Sequence, residues 1–355
     1  MRLSFSFLTI TLALIVPFAT AVSGAARAIL DPSSYKNITV SRGIKYNYYL
    51  SPPRTNDQRF LLFLHGFPGL SYDYRFQVDF FKDAGYGIIV PDMLGYGGTD
   101  KPTDTEMYKS SLVTRDIVDI LDAESVPNDV VVVGHDWGSK ITARLAQYFP
   151  KRFSAFGFLA VGGDLLFSGP YAQSNNLTKA VIGYELFGYW DFFAQPDAPQ
   201  LIGDHLDSLL SLFHSADPLD WIVHFAPLGA LEASLKEDRK AKSTVWTPEE
   251  AEVYLKAYSA PGALEASLSW YKLVVSDIES KDSQGIPPEN LIVAKPVFLG
   301  AALADFVLVA PQMIQSTLDS STNSTIRVYP AGHWLHWEVK DEVNRDLFAW
   351  IEGLE

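Results

Sequence analysis

Residues Val132 to Lys140 read VVGHDWGSK, a hydrophobic run that breaks at Gly134, carries Asp136 at its apex and passes Gly138 into helix-forming text. The spacing is that of the strand–turn–helix elbow written G-x-S-x-G, with Asp136 where the serine stands. A carboxylate held out on such a turn can attack an electrophilic carbon and form an ester with the enzyme, splitting one difficult step into two easier ones. The competing readings are an elbow without activity and an aspartate that only caps the next helix.

An ester at Asp136 needs an activated water and a place for negative charge. HGFPG (His65–Gly69) ends an earlier strand-like run, where the loop supplies an oxyanion N–H; Phe67 and Trp137 are then the backbone donors. Of the seven histidines, His333 in GHWLHW follows the last strand-like run and is the base expected to activate water. His336 is the weaker alternative, and His135 is read as a packing residue on the other side of its strand. Asp305, in ALADFVLV, keeps the order nucleophile, acid, histidine and would orient His333; Asp164 is the runner-up.

These residues must be carried by a sheet. From Arg59 the text alternates short apolar runs (RFLLFL, YGIIVP, DVVVVG, FSAFGFL) with helical stretches near Tyr72–Ala84, Ser111–Ala123 and after Asp136. That is the pattern of a mainly parallel sheet flanked by helices. From 164 to 285 the text becomes helical and aromatic-rich, and TPEEAEVYLKAY carries a capping box, Thr247 with Glu250, behind Pro248. The core resumes at 286–355 with KPVFLGAALADFV, STIRVYPAGHW and a closing helix over Glu338–Leu354. The expected organisation is therefore core at 22–163, inserted helical cap at 164–285 and core again at 286–355. GALEASL occurs at both Gly229–Leu235 and Gly262–Leu268, a single pair that reads as reuse of helix-forming text.

The first residues point to an address. Arg2 precedes the uncharged stretch Leu3–Ala26, with Ala19-Thr20-Ala21 as a cleavage pattern, so 1–21 reads as a signal peptide and the mature chain as secreted. A membrane anchor is the alternative. Sequons at Asn37, Asn176 and Asn323 are expected glycosylation sites. Cysteine is absent, so no disulfide supports the core. A formal charge of −14 argues against nucleic acid and anionic membrane as partners.

HGFPG, GHDWG, DFVLV and GHW occur here in the order and spacing of the α/β-hydrolase superfamily, and the chain from about Tyr46 to Leu354 resembles its epoxide hydrolases. The resemblance implies an α/β-hydrolase fold with a helical cap, and a small-molecule epoxide as substrate; the aromatic run at Phe187, Trp190, Phe192 and Phe193 suggests an apolar pocket and hence a lipophilic one. It also implies two lid tyrosines that grip the epoxide oxygen: Tyr189, in FGYWDFFAQPDA, and Tyr271, in LSWYKLV. Tyr184 and Tyr171 are the rivals for the first position. Two phenol donors stabilise an opening alkoxide. No cofactor and no metal are implied. Haloalkane dehalogenases share the Asp-Trp pair, although their loop commonly reads His-Gly-Asn where this chain has Phe67. A non-catalytic ligand binder is the third reading.

Overall fold

The computed structural model describes residues 30–162, 171–217, 219–243 and 245–354. The expected signal peptide, the runner-up acid Asp164 and the first residues of the expected cap lie outside the described residues. Among the described residues, no helix is long and apolar enough to cross a membrane.

The strands are β1 (Tyr35–Thr39), β2 (Lys45–Ser51), β3 (Phe60–Leu64), β4 (Gly87–Pro91), β5 (Val130–His135), β6 (Phe153–Leu159), β7 (Val297–Ala302) and β8 (Ser324–Tyr329). They form one sheet in the order β1-β2-β4-β3-β5-β6-β7-β8. β1 and β2 add antiparallel to β4, and every other pairing is parallel. The fold is thus the α/β-hydrolase type: an eight-stranded, mostly parallel sheet with helices on its faces. β4 and β5 are buried along their whole length, which is why they read as unbroken runs of Ile and Val rather than as alternation. The sequence alternation begins only at Arg59, so the antiparallel pair β1 and β2 had no counterpart in it.

The chain steps from β3 to β4 on one side and returns past β3 to β5 on the other. The strand order therefore reverses at the carboxyl ends of β3 and β5, where open α/β sheets bind their ligands. HGFPG leaves β3 and GHDWG leaves β5, so both motifs meet at that reversal.

Between β6 and β7 the described chain is helical. Helix Pro248–Tyr258 starts with the expected capping box: Thr247 Oγ1 accepts the Glu250 N–H at 3.3 Å and Glu250 Oε2 accepts the Thr247 N–H at 2.8 Å. Glu250 also pairs with buried Arg75 at 2.8 Å, tying this helix to helix Arg75–Ala84 of the core. The two GALEASL words fold alike, each opening a helix behind a left-handed glycine, Gly229 at φ 77° and Gly262 at φ 75°. The closing helix differs from the expected single run. Val339 leaves helical geometry (φ −131°, ψ 44°) and separates Leu335–Glu338 from Lys340–Glu352.

Candidate active site

Asp136 sits on a backbone that L-residues avoid, φ 52° and ψ −122°, between β5 and helix Trp137–Tyr148. Such a conformation costs on the order of 1–3 kcal/mol and persists only where surrounding packing imposes it. Two glycines make that packing possible. A Cβ on Gly134 would overlap the Gly138 backbone, and one on Gly138 would overlap the Leu64 carbonyl at the end of β3. The helix therefore reaches the sheet closely enough to leave Asp136 at its N-terminus, where free N–H groups face anions.

The carboxylate is bound on one side. Phe67 N–H donates to Asp136 Oδ1 at 2.8 Å, and the Trp137 N–H also bonds the carboxylate. The HGFPG loop that holds Phe67 is fixed by His65, whose Nε2 accepts the Met93 N–H at 2.9 Å, so Nδ1 carries the proton donated to the Gly66 carbonyl. Burial pushes His65 down to about 4, which keeps this tautomer neutral. A side chain on Gly66 would overlap Asp136 itself.

His333 meets the other carboxylate oxygen, with Nε2 3.8 Å from Asp136 Oδ2. Its Nδ1 bonds Asp305 Oδ2 at 2.9 Å. A carboxylate can only accept, so Nδ1 bears the proton and a neutral ring presents a bare Nε2 to Asp136. Asp305 is itself oriented by the Val307 and Leu308 N–H groups on Oδ1, at 2.7 and 3.3 Å. Burial works against protonation of His333, but Asp305 and Asp136 outweigh it and raise its pKa above the ordinary imidazole value. Burial raises Asp136 above the usual carboxylate range, while His333 and the Phe67 and Trp137 N–H groups pull it back and Asp305 pushes it further up.

Tyr189, on helix Gly188–Phe193, and Tyr271, on helix Ser269–Val275, stand with ring centroids 5.9 Å apart. Both are buried, and burial first, with the charge of Asp136 among the further causes, raises both phenols, so they keep their protons as donors. Tyr271 packs edge-on to Phe67 and Trp137, at 5.3 and 5.2 Å. The rivals are committed elsewhere: Tyr171 donates to the Phe187 carbonyl or Asp191, and Tyr184 donates to the Phe306 carbonyl.

A small pocket opens on Asp136 and Tyr189, with Phe187, Trp190, Val307 and Leu308 in its wall. Tyr271 and His333 adjoin Tyr189 and Asp136 but are not part of that wall. Lys140, one helical turn beyond Asp136, also lines it and pairs with buried Glu279 at 3.2 Å. Burial first, then Arg144, depresses Lys140 to about 7. Among the described residues no His, Asp and Glu cluster could hold a metal ion.

Several neighbours of the site left little trace in the sequence. His135, expected to pack, also donates its Nε2–H to the His333 carbonyl at 2.9 Å. His336 packs at a tilt against His135, centroids 4.4 Å apart, and its ring nitrogens find no hydrogen-bond partner among the described residues. Asp73 Oδ1 accepts from the Leu70 N–H and from the Tyr254 hydroxyl of helix Pro248–Tyr258, at 3.0 and 2.7 Å, whereas its Oδ2 is buried with no hydrogen-bond partner among the described residues. Glu338 bonds the Gly332 and Trp334 N–H groups on either side of His333. The five-residue step from His333 to Glu338 was its only available sign.

The family model described as alpha/beta hydrolase fold matches residues 60–339. The chain is 26% identical over 325 residues to the mouse protein named bifunctional epoxide hydrolase 2, covering 90% of this chain and 55% of that protein. It therefore spans about half the length of that relative. It is 27% identical over 306 residues to epoxide hydrolase A of Mycobacterium tuberculosis, covering 83% of this chain and 91% of that protein. Among solved structures, epoxide hydrolase A from Mycobacterium thermoresistibile superposes with a TM-score of 0.73 at 23% identity, over 91% of this chain and 99% of that one, a likeness of fold.

Proposed function

The chain belongs to the α/β-hydrolase fold family, and we propose that within it the protein is an epoxide hydrolase that converts a small, lipophilic epoxide and water to a vicinal diol. The observation that carries this reading is a carboxylate at the elbow, bonded through Oδ1 by Phe67 N–H at 2.8 Å and faced through Oδ2 by a histidine that Asp305 orients. Names of similar proteins from two kingdoms support the same activity.

In this mechanism Tyr189 and Tyr271 hold the epoxide oxygen. An oxygen of Asp136 attacks a ring carbon, the C–O bond of the ring breaks, and the released oxygen takes a proton from a tyrosine. The product of this step is a glycol monoester of Asp136. Once esterified, Asp136 bears no charge, and one of the anions that raise the His333 pKa is gone. His333 then accepts a proton from water, and the hydroxide attacks the Asp136 carbonyl carbon. The Phe67 and Trp137 N–H groups take up the oxyanion. Collapse breaks the ester: the leaving diol oxygen takes the proton held on His333, and the hydroxide proton left on the Asp136 carboxyl returns through water to the tyrosinate, so that Asp136 is a carboxylate again and the diol leaves. The helical segment within 164–285 is the lid that brings both tyrosines over Asp136, with 22–163 and 286–355 as the two parts of the core.

Isotope labelling tests the reading. In a single turnover in ¹⁸O-water the diol should take its new oxygen from Asp136, and the label should appear in that aspartate. Label entering the diol directly in the first turnover would overturn the ester route, and turnover of a chloroalkane in preference to an aryl epoxide would replace the substrate class.

Residues 1–21 are read as a secretory signal and the mature protein as a glycoprotein. All three sequon asparagines, Asn37, Asn176 and Asn323, are exposed. Mass spectrometry of protein recovered from the culture medium checks the new N-terminus and the glycans together.

A further inference from the structure

We propose that Glu338 is a positioning residue for the water-activating step, its carboxylate clamping the backbone on both sides of His333; the proposal rests on the epoxide-hydrolase reading. Glu338 Oε2 accepts the Gly332 N–H at 2.8 Å and Oε1 accepts the Trp334 N–H at 3.1 Å. One side chain thus brackets the histidine that faces Asp136. The glycine favours this, since a Cβ on residue 332 would stand 3.1 Å from Oε1 and 3.4 Å from Oε2, so the carboxylate would have to shift by a few tenths of an ångström.

The clamp completes a set of restraints on one residue. The His333 ring is held through Nδ1 by Asp305 at 2.9 Å, and its carbonyl by His135 at 2.9 Å. Glu338 supplies what those two cannot, a fixed path for the chain entering and leaving His333. The short helical turn that carries Glu338 is closed onto the same loop, with the Glu338 N–H donating to the Trp334 carbonyl at 3.0 Å. Charged and titratable groups facing His333 are Asp305, Asp136 and Glu338, together with the imidazoles of His135, His336 and His214. Glu338 is therefore also one of the anions that favour the protonated ring. Its removal leaves a base both looser and weaker, while the attack of Asp136 on the epoxide, which needs no base, keeps its machinery intact.

The two chemical steps separate the proposal from a general loss of structure. E338Q keeps the shape but can accept at only one oxygen, and it removes the charge. In single-turnover rapid quench with styrene oxide, its rate of ester formation should stay within about twofold of the parent and its rate of ester hydrolysis should fall about tenfold, a fraction of the ~10²–10⁴-fold that a positioned general base contributes. The His333 imidazole, followed by NMR titration of the resting protein, should lose its proton at lower pH. G332A, which keeps the carboxylate and crowds it, should slow hydrolysis selectively as well, so the test survives a failure of E338Q to fold. Equal slowing of both steps, or unchanged hydrolysis with His333 titrating as in the parent, overturns the clamp. Absence of any ester in the parent overturns the epoxide reading, and the His333 titration then decides separately whether Glu338 acts on the histidine it brackets.

Discussion

His333 Nε2 stands 3.8 Å from Asp136 Oδ2, while its Nδ1 is bonded to Asp305 at 2.9 Å. The first distance is too long for a hydrogen bond and short enough for each charge to bias the proton affinity of the other. In the proposed mechanism the histidine therefore senses whether the aspartate is a free carboxylate or an ester, and that dependence orders the two chemical steps, the base being released from its ion partner when the ester forms.

Replacing His333 by Gln should leave ester formation within an order of magnitude and slow ester breakdown by at least about 10²-fold, the lower end for loss of a general base. Intact-protein mass spectrometry after mixing with an aryl epoxide should then show a stable adduct. Asp136→Ala should show none, and an adduct on that variant would remove Asp136 from the role of nucleophile.

The two steps should respond to pH differently. In the proposed mechanism Asp136 attacks only as a carboxylate, and burial holds its pKa above the ordinary range. Ester formation should thus fail on acidification before pH reaches the ordinary aspartate value of about 4. Hydrolysis needs neutral His333, whose raised pKa depends in part on ionised Asp136. The pH limb for hydrolysis should accordingly lie below the pH at which His333 titrates in the resting protein. A limb at or above that resting value would contradict the coupling.

Tyr189→Phe and Tyr271→Phe should each slow ester formation by about 10²-fold, the usual cost of one donor to a developing oxyanion. The double variant should lose ester formation altogether, with hydrolysis of an ester formed by other means unaffected. Normal ring opening by the double variant would remove both tyrosines from the mechanism.

Asp73 offers a stability test away from the chemistry. Burial raises its carboxyl to about 7, against the Tyr254 hydroxyl and Leu70 N–H that favour the charged form. A folded-state pKa above the unfolded one contributes stability that is complete below the unfolded value and is lost as pH rises through about 7. Asp73→Asn keeps an oxygen for both donors and removes the charge from Oδ2, which accepts no hydrogen bond among the described residues. Its melting temperature should exceed that of the parent at about pH 8 and approach it near about pH 5. Equal melting temperatures across that range would mean that Asp73 is ionised at no cost in the native protein.

Local chemistry was legible in the chain. The G-x-D-x-G frame demanded an elbow, because its small residues serve contacts within one turn, and the structure supplies the elbow with φ 52° at Asp136. Thr247, Pro248 and Glu250 cap a helix through bonds that span three residues. Continuous apolar runs gave the parallel strands. The antiparallel pair β1 and β2 was not legible, since its identity depends on the edge of β4 that receives it.

The amino-acid sequence by itself thus determined the fold class and the order of Asp136, Asp305 and His333, since these follow from periodicity and from residues close in the chain. Only the tertiary structure decided which groups meet through space: Asp305 at His333, Tyr271 against Tyr189 and Phe67, Lys140 beside the cavity, and Glu338 around the histidine loop. Those meetings depend on how β3, β5, β7 and the intervening helices pack, a property of the whole molecule that no short window of residues contains.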